Sequence, residues 1–297
     1  MKQKFLELNF SRKSLETLGV ITSILNEYQA LGYDLSLRQL YYQLVARDYI
    51  ENTQKSYKRI GELVSNGRLA GLLDWSMITD RGRRGVANQH WESPAEIVDA
   101  AAQSFKIDRW EGQENHVIVM VEKQALEGVL IPVCRDLDVT FYANKGYSSS
   151  STMYQIGRNL RWQYARNDKT VHVLYLGDHD PSGIDMTRDV RERLEMFSGT
   201  IVEVHRLALN YDQVEQWNPP ENPAKETDSR YEAYLRDYGE SSWELDAIEP
   251  RELANLVTQA VLELRDEELW DQTVARETAM REELNLFVQQ YRSSKGE

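Results

Sequence analysis

Apolar residues change their period once along this chain, near residue 115. Before that point they recur every three or four positions. Leu15, Leu18, Ile21, Ile24, Leu25 and Tyr28 fall on one stripe, which predicts an amphipathic helix over residues 12–31, closed by Gly32. Ser36 is placed to cap a second helix over 37–50, and Asn52–Thr53 to start a third over 54–73. Residues 75–78 suit a short strand, and the basic turn DRGRRG follows at 80–85. Three short helices, tight turns and a basic hairpin predict a helix-turn-helix or winged-helix domain over residues 1–90. Residues 91–114 predict a linker with one helix over 94–105.

Beyond residue 115 the apolar residues come in short β-prone runs: HVIVMV (116–121), VTFYA (139–143), TVHVLYL (170–176) and TIVEVHRLAL (200–209). Helical patterns start between them, near Lys123, Ser150 and Gly183. Strands alternating with such helices predict an α/β domain with a parallel sheet over 115–297. A polar, proline-rich stretch follows Asn210, and a long helix is expected from Arg251 to the end.

Composition refines this picture. With 297 residues, 41% hydrophobic and 28% charged, and a mean hydropathy of -0.60, the chain has room for two domains and a sizeable core. It contains no apolar run long enough for a membrane span, and its first residues lack an apolar signal core. The single cysteine, Cys134, excludes an intrachain disulfide and a thiolate metal cluster, and a cytoplasmic location is expected. The net charge of -13 argues against a chain coated in nucleic acid. Residues 1–90, however, hold 13 Lys and Arg against 9 Asp and Glu, and the remainder holds 22 against 39. A DNA-binding surface is therefore expected at the front. Its candidates are Lys55, Lys58, Arg59 and Arg68 on the third helix and Arg81, Arg83 and Arg84 in the basic turn.

The candidate chemistry lies at predicted strand ends, where parallel sheets place their sites. Glu122 follows the first strand. GDHDPSG (177–183) follows the third and holds Asp178 and Asp180 in a turn with Pro181 and Gly183. Two such aspartates either cap the next helix or share a divalent cation with oxygen ligands, Mg²⁺ with Mn²⁺ as the alternative. Glu122 would bind the same ion or act as a base on water. His179 is expected to face away. Lys123 and Lys145 are candidates for a phosphate near the ion, and the serines at 148–151 for a helix cap or anion contact. Trp217 and Trp243 read as core. In the second helix, Arg38 precedes Tyr42 by one turn in RQLYY. One tyrosine of the pair is expected to pack with Leu40 and Leu44 and the other to be partly exposed, where it would serve as a nucleophile.

Glu122 in VEK with Asp178 and Asp180 in GDHDPSG resembles the Toprim domain of topoisomerases, primases and nucleases, over roughly residues 115–210. Arg38 and Tyr42 in R-x-x-Y-Y ahead of it resemble the A subunit of topoisomerase VI and the related meiotic double-strand-break transesterase. That resemblance implies a winged-helix plus Toprim architecture and Mg²⁺-dependent cleavage of double-stranded DNA. Tyr42 would be the nucleophile and Arg38 its partner, while Glu122, Asp178 and Asp180 would hold the ion. It also implies a homodimer in which the tyrosine of one subunit meets the ion of the other, an ATPase B-type subunit as a further partner, and a nucleoid-associated location. The chain is shorter than a typical A subunit. GYSSSST (146–152), PAKETDSR (223–230) and WELDAI (243–248) are similar to segments of short Toprim proteins of phages and mobile elements. Two alternatives stay open: a Toprim nuclease using activated water, and a non-catalytic DNA-binding or assembly subunit.

Overall fold

The computed structural model describes residues 2, 4–78, 90–144, 148, 150–167 and 169–295. The elements in chain order are α1 (Arg12–Ala30), α2 (Leu37–Ala46), α3 (Gln54–Leu69), α4 (Pro94–Ser104), β1 (Asn115–Val121), α5 (Glu127–Asp136), β2 (Thr140–Ala143) and α6 (Ser150–Asn167). Then come β3 (Thr170–Leu176), α7 (Pro181–Ser198), β4 (Glu203–Ala208), α8 (Tyr211–Trp217), β5 (Glu221–Pro223), α9 (Tyr231–Tyr238), β6 (Ser241–Trp243), α10 (Pro250–Glu263) and α11 (Glu267–Lys295).

The four predicted strands form one parallel sheet in the order β2-β1-β3-β4. Both of its faces are covered, which is why the strands read as unbroken apolar runs. Val117, Val119, Val121, Leu174 and Leu176 pack on one side with α5 and α10. Ile118, Met120, Val171, Val173 and Tyr175 pack on the other with α6 and α7. The protein is therefore α/β, as expected.

The first three helices build a separate core from Leu18, Ile21, Ile24, Leu25, Leu40, Leu44, Ile60 and Val64. Ser36 caps α2 in a capping box with Gln39, and Thr53 caps α3. Leu15 departs from its predicted stripe and is exposed. α2 ends at Ala46 rather than at residue 50, because Asp48 adopts a left-handed φ of 58°. The predicted strand at 75–78 is a 3₁₀ turn, Trp75–Met77, joined to the rest by a single bridge between Leu35 and Ile78. The basic turn with Arg81, Arg83 and Arg84 lies outside the described residues, and no wing is formed among those that are described.

Three further differences have clear causes. The 91–114 segment is fastened down: α4 lies on α11, with Arg292 paired to Asp99 at 2.9 Å and Arg281 donating to the Phe105 carbonyl. The predicted terminal helix is two helices. Buried Gln113 donates to the Asp266 carbonyl and accepts from the Asp266 N–H, so the backbone of the break is satisfied by a side chain. The polar stretch after Asn210 holds α8, α9 and the β5–β6 hairpin. Asn52 donates to the Glu221 carbonyl at 3.0 Å, and Tyr28 donates to Glu249, so this stretch also docks the N-terminal helices.

Leu174 is buried at the centre of the sheet. Leu174→Ala is expected to cost about 2–5 kcal/mol, read as a lowered urea midpoint with an unchanged slope. Leu15→Ala should change stability by less than about 0.5 kcal/mol in the same assay.

Candidate active site

β1 and β3 run side by side with Val121 opposite Leu176, so the residues after each strand emerge together. The Asp178 N–H donates to Glu122 Oε2 at 2.9 Å. A Cβ at Gly177 would stand 2.9 Å from that same oxygen, so glycine is what admits the carboxylate. A Cβ at Gly183 would stand 2.2 Å from the Asp178 carbonyl oxygen, which no rearrangement of a flexible side chain could relieve. Arg206 of β4 supports the turn from within. Its guanidinium donates to the carbonyls of Gly177 (3.2 Å), Asp178 (2.6 Å), Gly183 (2.9 Å) and Leu209 (3.1 Å).

Asp178 Oδ1 accepts from the Leu245 N–H at 2.8 Å, and Oδ2 pairs with Lys123. The Lys123 ammonium also pairs with Glu244. Glu244 Oε1 lies 2.7 Å from Arg38, and Arg38 Nε lies 2.9 Å from Asp246 Oδ2 without hydrogen-bond alignment. Charges thus alternate from the β3 loop to α2: Asp178, Lys123, Glu244, Arg38, Asp246. Asp180 does what a helix cap does, with Oδ1 accepting from Gly183 N–H at 2.6 Å and from Ser182 Oγ at 2.9 Å. Its other oxygen lies 4.0 Å from Lys225 Nζ, so capping leaves one carboxylate oxygen for another partner.

Electrostatics divide these carboxylates. Burial and then the charge of Glu122 raise the Asp178 pKa well above the usual carboxylate range, offset in part by Lys123. Burial raises Glu122, against the stabilising Asp178 N–H, and the Asp180 charge raises it further. Burial raises Asp246. Glu244 moves the other way: burial is outweighed by Lys123 and Arg38, and its pKa falls. Burial opposes the charge on Lys123, but Asp178, Asp246 and Glu244 together raise its pKa, so the ammonium stays protonated. Glu122, Asp178 and Asp180 offer oxygen donors only, the type a hard divalent cation takes, but their ligand atoms do not all lie within 4.8 Å of one another.

The tyrosine pair corrects the prediction. Both rings are buried, Tyr42 at 3% exposure, against the segment containing Ala247. Tyr41 donates to Asn52 and to the Thr53 carbonyl and packs edge-on against Tyr42 and Tyr57. The Tyr42 hydroxyl lies 3.5 Å from Arg38 and 3.5 Å from Asn222. Burial, followed by the Glu244 charge, raises its pKa, with Arg38 opposing.

The remaining candidates separate. Lys55, Lys58 and Arg59 are exposed on α3. Arg68 is turned inward, donating to the Trp75 and Ile78 carbonyls and stacking on Trp75. Lys123 is engaged by two carboxylates, and Lys145 lies outside the described residues. His179 faces away as expected, 2.7 Å from the Tyr234 hydroxyl among Tyr211, Tyr238 and Trp243; burial lowers its pKa to about 4. The Ser148 carbonyl accepts from Arg193. Trp217 and Trp243 pack on the core. Glu244, Asp246, Asn222 and Arg206 were missed. Glu244 and Asp246 repeat the carboxylate spacing of Asp178 and Asp180 after a short β run, and that was the readable signal.

Asp178 has a folded pKa above its unfolded value, so its ionisation destabilises the metal-free fold at neutral pH and this cost disappears as pH falls. Asp178→Asn is therefore expected to raise the melting temperature at pH 7 without divalent ions, by on the order of 1 kcal/mol or about 2–4 °C. The gain should shrink toward pH 4, and the Mg²⁺-induced shift of the wild type should be lost. A lower melting temperature of the variant at pH 7 would contradict this assignment.

No known protein family's sequence profile matches the chain, and no curated protein matches it.

Proposed function

We propose that the protein is a Toprim-like, divalent-cation-dependent enzyme that cuts the DNA backbone, with Glu122, Asp178 and Asp180 holding Mg²⁺ (or Mn²⁺). The observation that carries this reading is the placement of three carboxylates, two of them buried, just after adjacent parallel strands, where burial and their mutual charge raise the pKa of Glu122 and Asp178. When bound, Mg²⁺ supplies neutralising charge beside a phosphate. Glu122, with its raised pKa, suits a general base: it takes a proton from water as the water oxygen bonds to phosphorus. The bond from phosphorus to one sugar oxygen breaks, and that oxygen is protonated from solvent. Lys123 holds its charge next to this centre and can pair with phosphate once Asp178 is engaged by the cation.

The three N-terminal helices, read as a winged helix, present DNA through Lys55, Lys58 and Arg59. A cleft of about 1040 Å³ on the other side of α2 is lined by Asp48, Glu215, Glu221, Glu249 and Glu252, a surface that repels a polyanion. DNA therefore approaches along α3.

The second reading is a transesterase with Tyr42 as nucleophile. One observation favours it: Arg38 joins the Tyr42 hydroxyl to Glu244 and Asp246 of the same chain. The phenol oxygen would bond to phosphorus as its proton passes to solvent, the bond from phosphorus to the 3′ oxygen would break with that oxygen protonated from solvent, and the tyrosine would remain linked to a 5′ phosphate. The burial and raised pKa of Tyr42 support water over the phenol as the nucleophile. A homodimer or an ATPase-type partner belongs to this second reading.

Supercoiled plasmid with Mg²⁺ or Mn²⁺, analysed with and without proteinase, tests both. Breaks free of protein, unchanged in Tyr42→Phe and reduced at least about a hundredfold in Asp178→Ala, are expected. Breaks seen only after proteinase and lost in Tyr42→Phe establish the transesterase. No cation-dependent breaks under any condition would falsify both.

A further inference from the structure

A second cluster of potential ligands lies at the amino-terminal end of the sheet, away from the carboxylates. The β3–β4 register sets His172 opposite Glu203 and Leu174 opposite His205. Glu203 and His205 are two apart, so both share the sheet face that carries His172. His172 Nδ1 lies 3.0 Å from His205 Nε2 and 3.3 Å from Glu203 Oε2, and the latter two atoms are 3.7 Å apart. In a tetrahedral site, with nitrogen and oxygen at about 2.0–2.2 Å from zinc, donor atoms stand about 3.3–3.4 Å from one another. The three distances bracket that value.

The hydrogen bonds behind the cluster fix which nitrogen is free. The Asn115 Nδ2 donates to the Leu264 carbonyl at 2.7 Å, so its Oδ1 is the atom that faces His172 Nε2 at 3.0 Å. That oxygen can only accept, so Nε2 carries the proton and Nδ1 presents a lone pair towards His205 and Glu203, accepting from His205 Nε2–H at 3.0 Å. A ring nitrogen anchored this way by an amide or carboxylate oxygen is the usual support of a metal-bound histidine. Without a cation, this nitrogen has only the His205 N–H as a donor and also faces the Glu203 carboxylate oxygen at 3.3 Å. His172 is buried while Glu203 and His205 are exposed, so an ion can enter from solvent and a fourth position stays open to water.

We propose that His172, Glu203 and His205 form a transition-metal site of the zinc type on the edge of the sheet. Two imidazoles and one carboxylate suit Zn²⁺ or Co²⁺ and disfavour Mg²⁺, which takes oxygen ligands. The site is chemically distinct from the carboxylate centre and does not depend on the cleavage proposed there.

The full chain, stripped with a chelator and titrated with Co²⁺ alone, tests the proposal through the visible absorption of tetrahedral cobalt, followed by displacement with Zn²⁺. One equivalent is expected in wild type and in Asp178→Asn, with affinity at least tenfold weaker in His205→Ala and in Glu203→Gln. Both of these substitutions are at exposed positions and should leave the melting temperature of the metal-free chain unchanged. The proposal is overturned if wild type develops no tetrahedral band. It is also overturned if His205→Ala and Glu203→Gln bind like wild type, or if the band disappears in Asp178→Asn instead.

Discussion

The pairing of the Lys123 ammonium with Asp178 and Glu244 is the interaction on which the arrangement depends. It joins the residue after β1, the loop after β3 and the segment after β6 at one point. Five carboxylates gather around it: Glu122, Asp178, Asp180, Glu244 and Asp246. Four cations lie near them, Lys123, Arg38, Arg206 and Lys225, the last 4.0 Å from Asp180, which leaves the cluster one negative charge in excess. In a buried setting such an excess is expensive, and burial raises the pKa of Glu122, Asp178 and Asp246 even where a single cation is in contact. Glu244, the one carboxylate gripped by two cations, is the one whose pKa falls.

The same ion pairs explain why the N-terminal helices sit where they do. Helix α2 brings Arg38 onto Glu244 and Asp246, and it lays Tyr41 and Tyr42 over Ala247. Asp246 is almost wholly buried, and neither of its oxygens has an aligned hydrogen bond. Charge alone holds it, so Arg38 is an electrostatic requirement of the docked arrangement rather than a surface decoration. A phosphate entering near Glu244 would compete for Arg38 and Lys123 together.

Much of the fold was legible because the two hydrophobic periods are clean. All four parallel strands and the first three helices follow from spacing alone, and the carboxyl-end position of Glu122, Asp178 and Asp180 follows from the strand order. The misreadings have a common physical cause. A polar stretch with prolines reads as a connection when its ordering contacts come from elsewhere in the chain, as with Asn52 on Glu221 and Asn222. Gln113 breaking the C-terminal helix is likewise a contact across some 150 positions, invisible to any local pattern. Tyr42 was placed at a surface by its helical position, but the surface of α2 is covered by residues 245–247, whose arrival no periodicity announces. The proline-rich stretch thus concealed half of the site, because Glu244, Asp246 and Asn222 all enter through it.

Asp180 shows why a cap and a ligand need not be rival readings. Its Oδ1 fixes the start of α7 through the Gly183 N–H, and that bond holds the carboxylate plane, which in turn aims the second oxygen. Gly177 and Gly183 serve the same end by removing atoms: the first lets Glu122 reach the β3 loop, and the second lets the loop close over Asp178. Arg206 then uses its guanidinium on four carbonyls, two in that loop (Gly177 and Asp178), one in the first turn of α7 (Gly183) and one after β4 (Leu209), instead of on the carboxylates. Had it paired with Asp178 or Glu122 directly, the centre would be a closed ionic cluster. By donating to backbone carbonyls, Arg206 leaves Glu122 without a direct ion pair and Asp178 with Lys123 alone.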